Sequence, residues 1–479
     1  MKETQRPVIV WFRQDLRADD HPALHAASQG GRVVIPVFIW HPQSEGGWPA
    51  GGASKWWLHH SLVELGKTLS KLGAPLILRQ GAPEKVLVEI AKATGAAGVH
   101  CSMRYEPCAA VQDAVVRKEL LAAGVSFAAH SGTLLHDPLI IRTGTGVPYK
   151  VYTPFAKAHR AAMSSDPPLV APKILKPHAI AIRSEAVEDL ALLPEIDWAT
   201  TMRSWWQPGE AGARKRLSSF TERKADSYGV NRDIPAEDGS SRLGAHLHWG
   251  EISPRRIWHE VSKSSTASTV GAQKYLAEIL WRDFAYHVMS NFPRTADYPL
   301  RPEFERFPWE PSSARLKAWQ RGETGYPIVD AGMRQLWATG WMHNRVRMIV
   351  ASFLVKHLLQ DWRHGARWFW DTLVDADLSS NSLGWQWSAG CGADAAPYFR
   401  IFNPILQGEK FDSQGTYVRE WIPELARMPS EFIHQPWNTP PLLLLQAGVE
   451  LGRNYPAPIV DHVTARNRAL AALSAFGKS

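Results

Sequence analysis

Three short clusters hold side chains whose types and spacing could do chemistry. In YLAEILWRDFAYH, Glu278, Trp281 and Arg282 stand at i, i+3 and i+4, so a helix places an acid, a large ring and a guanidinium on one face. A solvated ion-pair face is the bland alternative, but Trp281 and its apolar neighbours argue against full exposure. In MHNRVRM, Asn344, Arg347 and Met348 again share a face, with Arg345 turned away from it. Beside the apolar run IVASFLVKHLL, burying such polar groups is costly unless a ligand or an ion partner meets them. Downstream, Asp375 and Asp377 in LVDADLSSN offer two carboxylates on an expected loop, and helix capping by Asp377 explains only one of them.

Two weaker patterns flank these. SSRLG, from Ser240 to Gly244, sets small residues and hydroxyls ahead of an apolar helix, where backbone N–H groups can hold phosphate oxygens. In GWQWSAGCGADAAPYFRIFNP, Trp385 and Trp387 lie two apart among small residues, so in extended backbone they point oppositely and serve two surfaces. His59 with His60, and His246 with His248, lack the third and fourth ligands of a zinc site, and no catalytic metal is expected. GTGTGVP runs into VPYKVYTPF rather than a helix opening, which predicts a turn and not a nucleotide loop.

The elements that must position these residues follow from the pattern. From Pro7 to about Gly132, apolar runs such as VIVWF, VVIPVFIW and PLILRQ alternate with amphipathic stretches such as WWLHHSLVELGKTLSKLG. This is the signature of an α/β domain, a parallel sheet covered by helices in the Rossmann manner. Residues 133–205 read as a long, proline-rich linker wrapped over the surface, and residues 206–479 as a large all-α domain. One helix is expected near Ala272 to Val288, a second from Pro327 to a stop at Gly340, and a third from Asn344 through Leu359.

Composition sets the outer bounds. The 479 residues allow two or three cores, and 54 Lys and Arg against 46 Asp and Glu give +8, compatible with a polyanionic partner. Three cysteines cannot supply a disulfide framework or an iron–sulfur site. No apolar run reaches the length of a signal peptide or a membrane span, so a cytoplasmic protein is expected. The 22 tryptophans beside 11 tyrosines are anomalous, and their number alone does not choose between packing, stacking and electron transfer.

At this level of detail the chain resembles the photolyase and cryptochrome family. WMHNRVRMIVASFLVKHLLQDW, DTLVDADLSSNSLGWQW and GADAAPYFRIFNPILQGEKFD resemble its flavin domain, and WFRQDLR, YTPF, SSRLGAHLHWGEISP, LWRDFAYH and TGYPIVDAGMRQL agree in the same order. The resemblance implies FAD, held at its pyrophosphate by Tyr228 and the backbone of Ser240, Ser241, Arg242 and Leu243, with Trp281 and Arg282 lining the cavity. Arg347 is implied to pair with Asp375 beside the isoalloxazine, Asp377 to meet its polar edge, and Asn381 to face N5 and support the reduced anionic form. Gly244 stands where many relatives have serine, so one phosphate contact is expected to be missing.

The implied reaction is the light-driven splitting of a cyclobutane pyrimidine dimer in DNA by an electron from FADH⁻, which then returns. Glu278 is implied to bond the pyrimidine carbonyls, and Trp281 and Trp387 to wall the pocket that receives the flipped lesion. Surrounding lysines and arginines would bind phosphate. Trp385, Trp362 and Trp309 occupy the positions of the family's electron-hopping chain. Asn344 and Met348, where (6-4) photolyases carry histidines, favour the cyclobutane dimer, and retention of Asn381 favours repair over a signalling cryptochrome.

HLHWGEISP and the WWLHHSL helix lean toward the class III branch. An antenna is implied in the N-terminal domain, 5,10-methenyltetrahydrofolate ahead of 8-hydroxy-deazaflavin, with Arg104, Tyr105 and Glu106 as its segment. An ordinary strand-end loop explains those three residues as well. A monomer with no membrane attachment is expected.

Overall fold

In a computed structural model, residues 6–164 and 166–476 are described. The apolar runs near the N-terminus form five parallel strands: β1 (Val8–Phe12), β2 (Val34–Trp40), β3 (Ile77–Gln80), β4 (Gly98–Ser102) and β5 (Ser126–His130). Their order is β3-β2-β1-β4-β5. β1 is central, with Val8 opposite Val34 on one side and Gly98 on the other. Its five residues are all buried, as a strand covered on both faces requires. Helices α1 (Pro22–Ser28), α2 (Gly52–Leu72), α3 (Pro83–Thr94) and α4 (Pro107–Ala122) make the crossovers. A core cluster of Ile9, Trp11, Val37, Leu87, Ile90, Val99, Val116 and Leu120 joins sheet to helices.

Helix ends obey local rules. α3 and α4 each open on a proline. α2 closes on Gly73 at φ 103, a left-handed value that a side chain there would resist. Segment 133–205 is largely irregular but holds α5 (Tyr152–Ala162), a 3-10 turn at Glu188–Leu190 and a short helix at Thr200–Trp205. GTGTGVP is a turn, closed by Thr143 N–H donating to Val147 O at 3.0 Å.

The chain beyond is helical. Its chemistry-bearing helices are α6 (Gly244–His248), α7 (Val270–Asn291), α8 (Pro327–Thr339), α9 (Asn344–Ser352), α10 (Trp362–Thr372), α11 (Leu378–Ala389) and α12 (His462–Phe476). The fold class is thus the expected one. By packing, the chain forms two compact units. The first comprises residues 1–226, 241–293 and 374–379, and the second residues 227–240, 294–373 and 380–479.

Three local expectations are corrected. The helix expected through Leu359 stops at Ser352 and runs on as a π-helical turn, Phe353–His357, before Leu359 takes φ 49. Such a turn re-aims the side chains that follow it. Asn381, Trp385 and Trp387 lie on α11 rather than on a loop or extended strand. Two residues of helix rotate by about 200°, so the two tryptophans still face opposite ways. β5, whose SFAAH sequence has weak strand propensity, was not among the expected strands; pairing with β4 decides it.

Among the described residues no helix is long and apolar enough to cross a membrane.

Candidate functional site

In the first unit, α7 presents Glu278, Trp281 and Arg282 one turn apart, as its period requires. All three are half-buried. Arg282 donates from Nη1 to Thr133 O at 2.8 Å and lies over the Tyr286 ring at 4.9 Å. Its Nε–H is buried without a protein partner. A buried donor left open costs roughly 1–3 kcal/mol unless a ligand accepts from it, so this atom fits an acceptor-rich cofactor. Tyr286, one further turn along, donates to Asp377 Oδ2 at 2.6 Å, and Arg282 stands 4.0 Å from the same oxygen. Burial and the Asp377 charge hold the Tyr286 phenol well above its ordinary range, so it stays a donor.

The SSRLG segment is shaped by its neighbours. Tyr275 of α7 donates to Ser241 Oγ at 3.0 Å, and Leu243 N–H donates to the same oxygen at 3.3 Å. Arg242 takes φ 53, a left-handed value uncommon outside glycine, with its guanidinium over the Trp205 ring. A β-carbon on Gly244 would stand 2.7 Å from Asp375 Oδ2. Glycine at 244 is therefore the condition for Asp375 to approach.

His246 and His248 are buried. His246 bonds Glu251, which also accepts from Trp57 Nε1 at 3.0 Å and Ser61 Oγ at 2.5 Å. His59 is likewise buried, with its ring edge-on to half-buried His60. Among the described residues no three histidines, cysteines or carboxylates form a metal cluster.

At the carboxyl ends of β1 and β4, where strand order reverses and doubly wound sheets take ligands, Arg13 spans the crevice. It donates to Ser102 O and Asp113. Arg104 is held by Glu45 at 2.7 and 2.9 Å and by Glu106 at 3.3 Å, and Tyr105 meets Tyr286 edge-on at 6.4 Å. Of the three antenna-segment residues, Arg104 and Glu106 are thus charge-paired in the interior.

In the second unit, α9 carries exposed Asn344 with half-buried Arg347 and Met348. Arg347 Nε donates to Met342 O at 2.8 Å. Arg345 is not turned away: its Nη1 reaches Met348 Sδ at 3.8 Å while Nη2 pairs with Asp233 at 2.7 Å. The i, i+3 spacing brings it back over the turn. Tyr228 is buried with Arg232 over its ring at 5.2 Å. Asn381 Nδ2 donates to Ala366 O at 3.0 Å, which fixes the amide so that Oδ1 points elsewhere. Trp387 is half-buried.

The same unit holds the three tryptophans Trp385, Trp362 and Trp309, the first two buried and the third half-buried. Trp385 is buried against Phe369 and Trp319, at 5.0 and 6.1 Å between centroids, and its ring fills the space that a side chain on Gly365 would need. Gly365 lies one turn from buried Trp362 on α10. Just before α10, Leu359 O accepts from Glu310 N–H at 2.8 Å, which ties half-buried Trp309 to that end of the helix. Residues 275–475 match the FAD binding domain of DNA photolyase, and residues 8–173 match the DNA photolyase family. A deoxyribodipyrimidine photo-lyase of Agrobacterium fabrum is 48% identical over 99% of this chain and 98% of its own length.

The chain belongs to the DNA photolyase and cryptochrome family. Cryptochrome-2 of Arabidopsis thaliana is 40% identical over 98% of this chain and 79% of its own. The crystal structure of a bacterial class III photolyase from Agrobacterium tumefaciens matches with a TM-score of 0.95 at 47% identity, over 99% and 98% of the two chains. For a photolyase-family chain the sequence motifs named candidate contacts and missed the residues that support them. Tyr275, Tyr286 and Gly365 lie within or beside the quoted motifs, yet only side-chain direction in three dimensions gives them a task.

Proposed function

We propose that this protein is a light-driven DNA photolyase that splits cyclobutane pyrimidine dimers. The observation that carries the substrate is one face of α9, where exposed Asn344 and half-buried Met348 stand and no imidazole is available at either position. Splitting a dimer needs an electron in and an electron out, with two carbon–carbon bonds broken and no general acid. A neutral amide and a thioether suit that reaction.

Bound FAD in its reduced form supplies the light-driven electron and takes it back. Tyr228, Ser240, Ser241, Arg242 and Leu243 would hold its pyrophosphate, and Arg282 would offer its open Nε–H as a donor. Arg347, paired with Asp375, would lie beside its isoalloxazine, Asp377, held by Tyr286, would meet its polar edge, and Asn381 would face N5 and support the reduced anionic form. Glu278 bonds the pyrimidine carbonyls and steadies negative charge on the lesion. Trp281 and Trp387 wall the pocket, where each stacked base gains roughly 1–3 kcal/mol against the cost of unstacking. Trp309, Trp362 and Trp385 conduct an electron inward when the cofactor is oxidised.

For the antenna we infer a folate ahead of a deazaflavin. Absorption of the chromophore released on denaturation distinguishes the two.

Repair itself tests the main reading. Photoreduced protein under blue light should restore dimer-containing DNA. Retention of FAD with no repair would instead establish the cryptochrome reading, for which the Arabidopsis relative speaks.

A further inference from the structure

We propose that Tyr152 is a positioning residue for lesion recognition, acting through Trp281. The inference rests on the repair reading above, because it assigns a task toward the same flipped base.

Tyr152 is the first residue of α5, and its ring lies flat on Trp281 with centroids 3.7 Å apart and planes within 6°. This is the closest ring pair described in the molecule. Its hydroxyl donates to Ala277 O at 2.8 Å. By helix geometry that carbonyl is also the acceptor for Trp281 N–H, so Tyr152 bridges one turn of α7 from the backbone of Ala277 to the Trp281 ring.

The bridge is backed on both sides. Phe284 meets Tyr152 edge-on at 5.9 Å and Trp281 at 5.7 Å. One turn along α5, Phe155 packs on Phe284 at 5.2 Å, and two turns along, His159 bonds Asp283 at 3.0 Å. Burial, with Glu278 the next cause, pushes the Tyr152 phenol up to about 12, so it remains a neutral donor at any working pH.

Trp281 therefore has one face occupied by Tyr152 and one edge held by Phe284, and those two are its ring contacts among the described residues. Trp281 is half-buried, and the face away from Tyr152 is the one assigned to a base. A ring pinned on one side presents that face without losing rotamer freedom on binding, which lowers the ordering cost of a stack. Tyr152 thus sets lesion affinity without touching the lesion.

The test compares full-length, FAD-loaded wild type with Tyr152→Leu and Tyr152→Phe. Each is titrated with a dimer-containing oligonucleotide and with its undamaged counterpart, and the quantum yield of repair is measured at saturating DNA. Tyr152→Leu is expected to lose about tenfold in affinity for the dimer strand, with undamaged binding and saturated yield unchanged. Tyr152→Phe, which keeps the stack, is expected to restore most of that loss.

Wild-type dimer affinity in Tyr152→Leu, or an equal loss on both DNAs, overturns the proposal. So does Tyr152→Phe as poor as Tyr152→Leu, which would assign the effect to the hydroxyl. If Tyr152→Leu does not fold, Tyr152→Phe with Phe284→Leu loosens the same seat and is read the same way. A wild type that does not prefer the dimer overturns the repair reading itself, and this inference with it.

Discussion

Asp375 stands so close to Gly244 that a β-carbon at 244 would lie 2.7 Å from its Oδ2 and 3.1 Å from its Cβ. The serine found at this position in many relatives would therefore cost this chain a contact rather than restore one. Gly244→Ser is expected to displace the Asp375 carboxylate, lower stability by about 1–3 kcal/mol and weaken FAD retention. Thermal unfolding and flavin release on dilution check both. Tighter FAD in the serine variant would mean that the missing phosphate contact, not the crowding, governs the site.

Gly365 and Trp385 form a second enforced pair, with the would-be β-carbon 2.0 Å from Trp385 Cη2. Gly365→Ala should drive the ring from its slot, at the upper end of the ~1–3 kcal/mol overpacking range. Light-driven reduction of bound oxidised FAD should then lose most of its rate, as it should in Trp385→Phe. Dithionite-reduced Trp385→Phe should still repair. Undiminished photoreduction in Trp385→Phe would remove Trp385 from the electron chain.

Asn381 donates to Ala366 O, and a carboxylate cannot. In Asn381→Asp two oxygens would face each other and a donor would be lost, a cost of roughly 1–3 kcal/mol. The Oδ1 side would also gain a negative charge facing an anionic flavin. Reduced flavin should reoxidise faster in air, followed by its absorbance. An unchanged lifetime would count against the role assigned to Asn381.

His357 gives a pH dependence. It is buried and bonded to His462 at 2.8 Å, and burial, then His462, Lys356 and Arg468, pull its pKa down to about 3. Between pH 6.5 and about 3 the unfolded chain binds a proton that the folded chain refuses, so stability is full above 6.5 and falls as pH drops through that window. Urea midpoints measured across it should fall less steeply in His357→Gln than in wild type. Equal slopes would show that other groups dominate acid unfolding. Because His357 O also accepts from Arg468 of α12, the C-terminal helix should loosen first, visible as early loss of amide protection there.

Periodicity and chemistry along the chain were enough for the fold class, four of the five strands, the shared face of Glu278, Trp281 and Arg282, and a helix starting at Pro327 and stopping at Gly340. These are local matters: a helical turn fixes which residues are neighbours, and proline and glycine fix where the turn begins and ends. Family motifs then implied the flavin and the residues that would contact it.

What tertiary structure alone decided lies between distant segments. Nothing within YTPF announces that Tyr152 lies on Trp281, nothing within SSRLG that Asp375 fills the space beside Gly244, and nothing within MHNRVRM that Asp233 pairs with Arg345. The physical reason is common to all three. A side chain's direction is set by the volume and charge that remain when other segments have packed, and that remainder is not a property of its own neighbours in sequence.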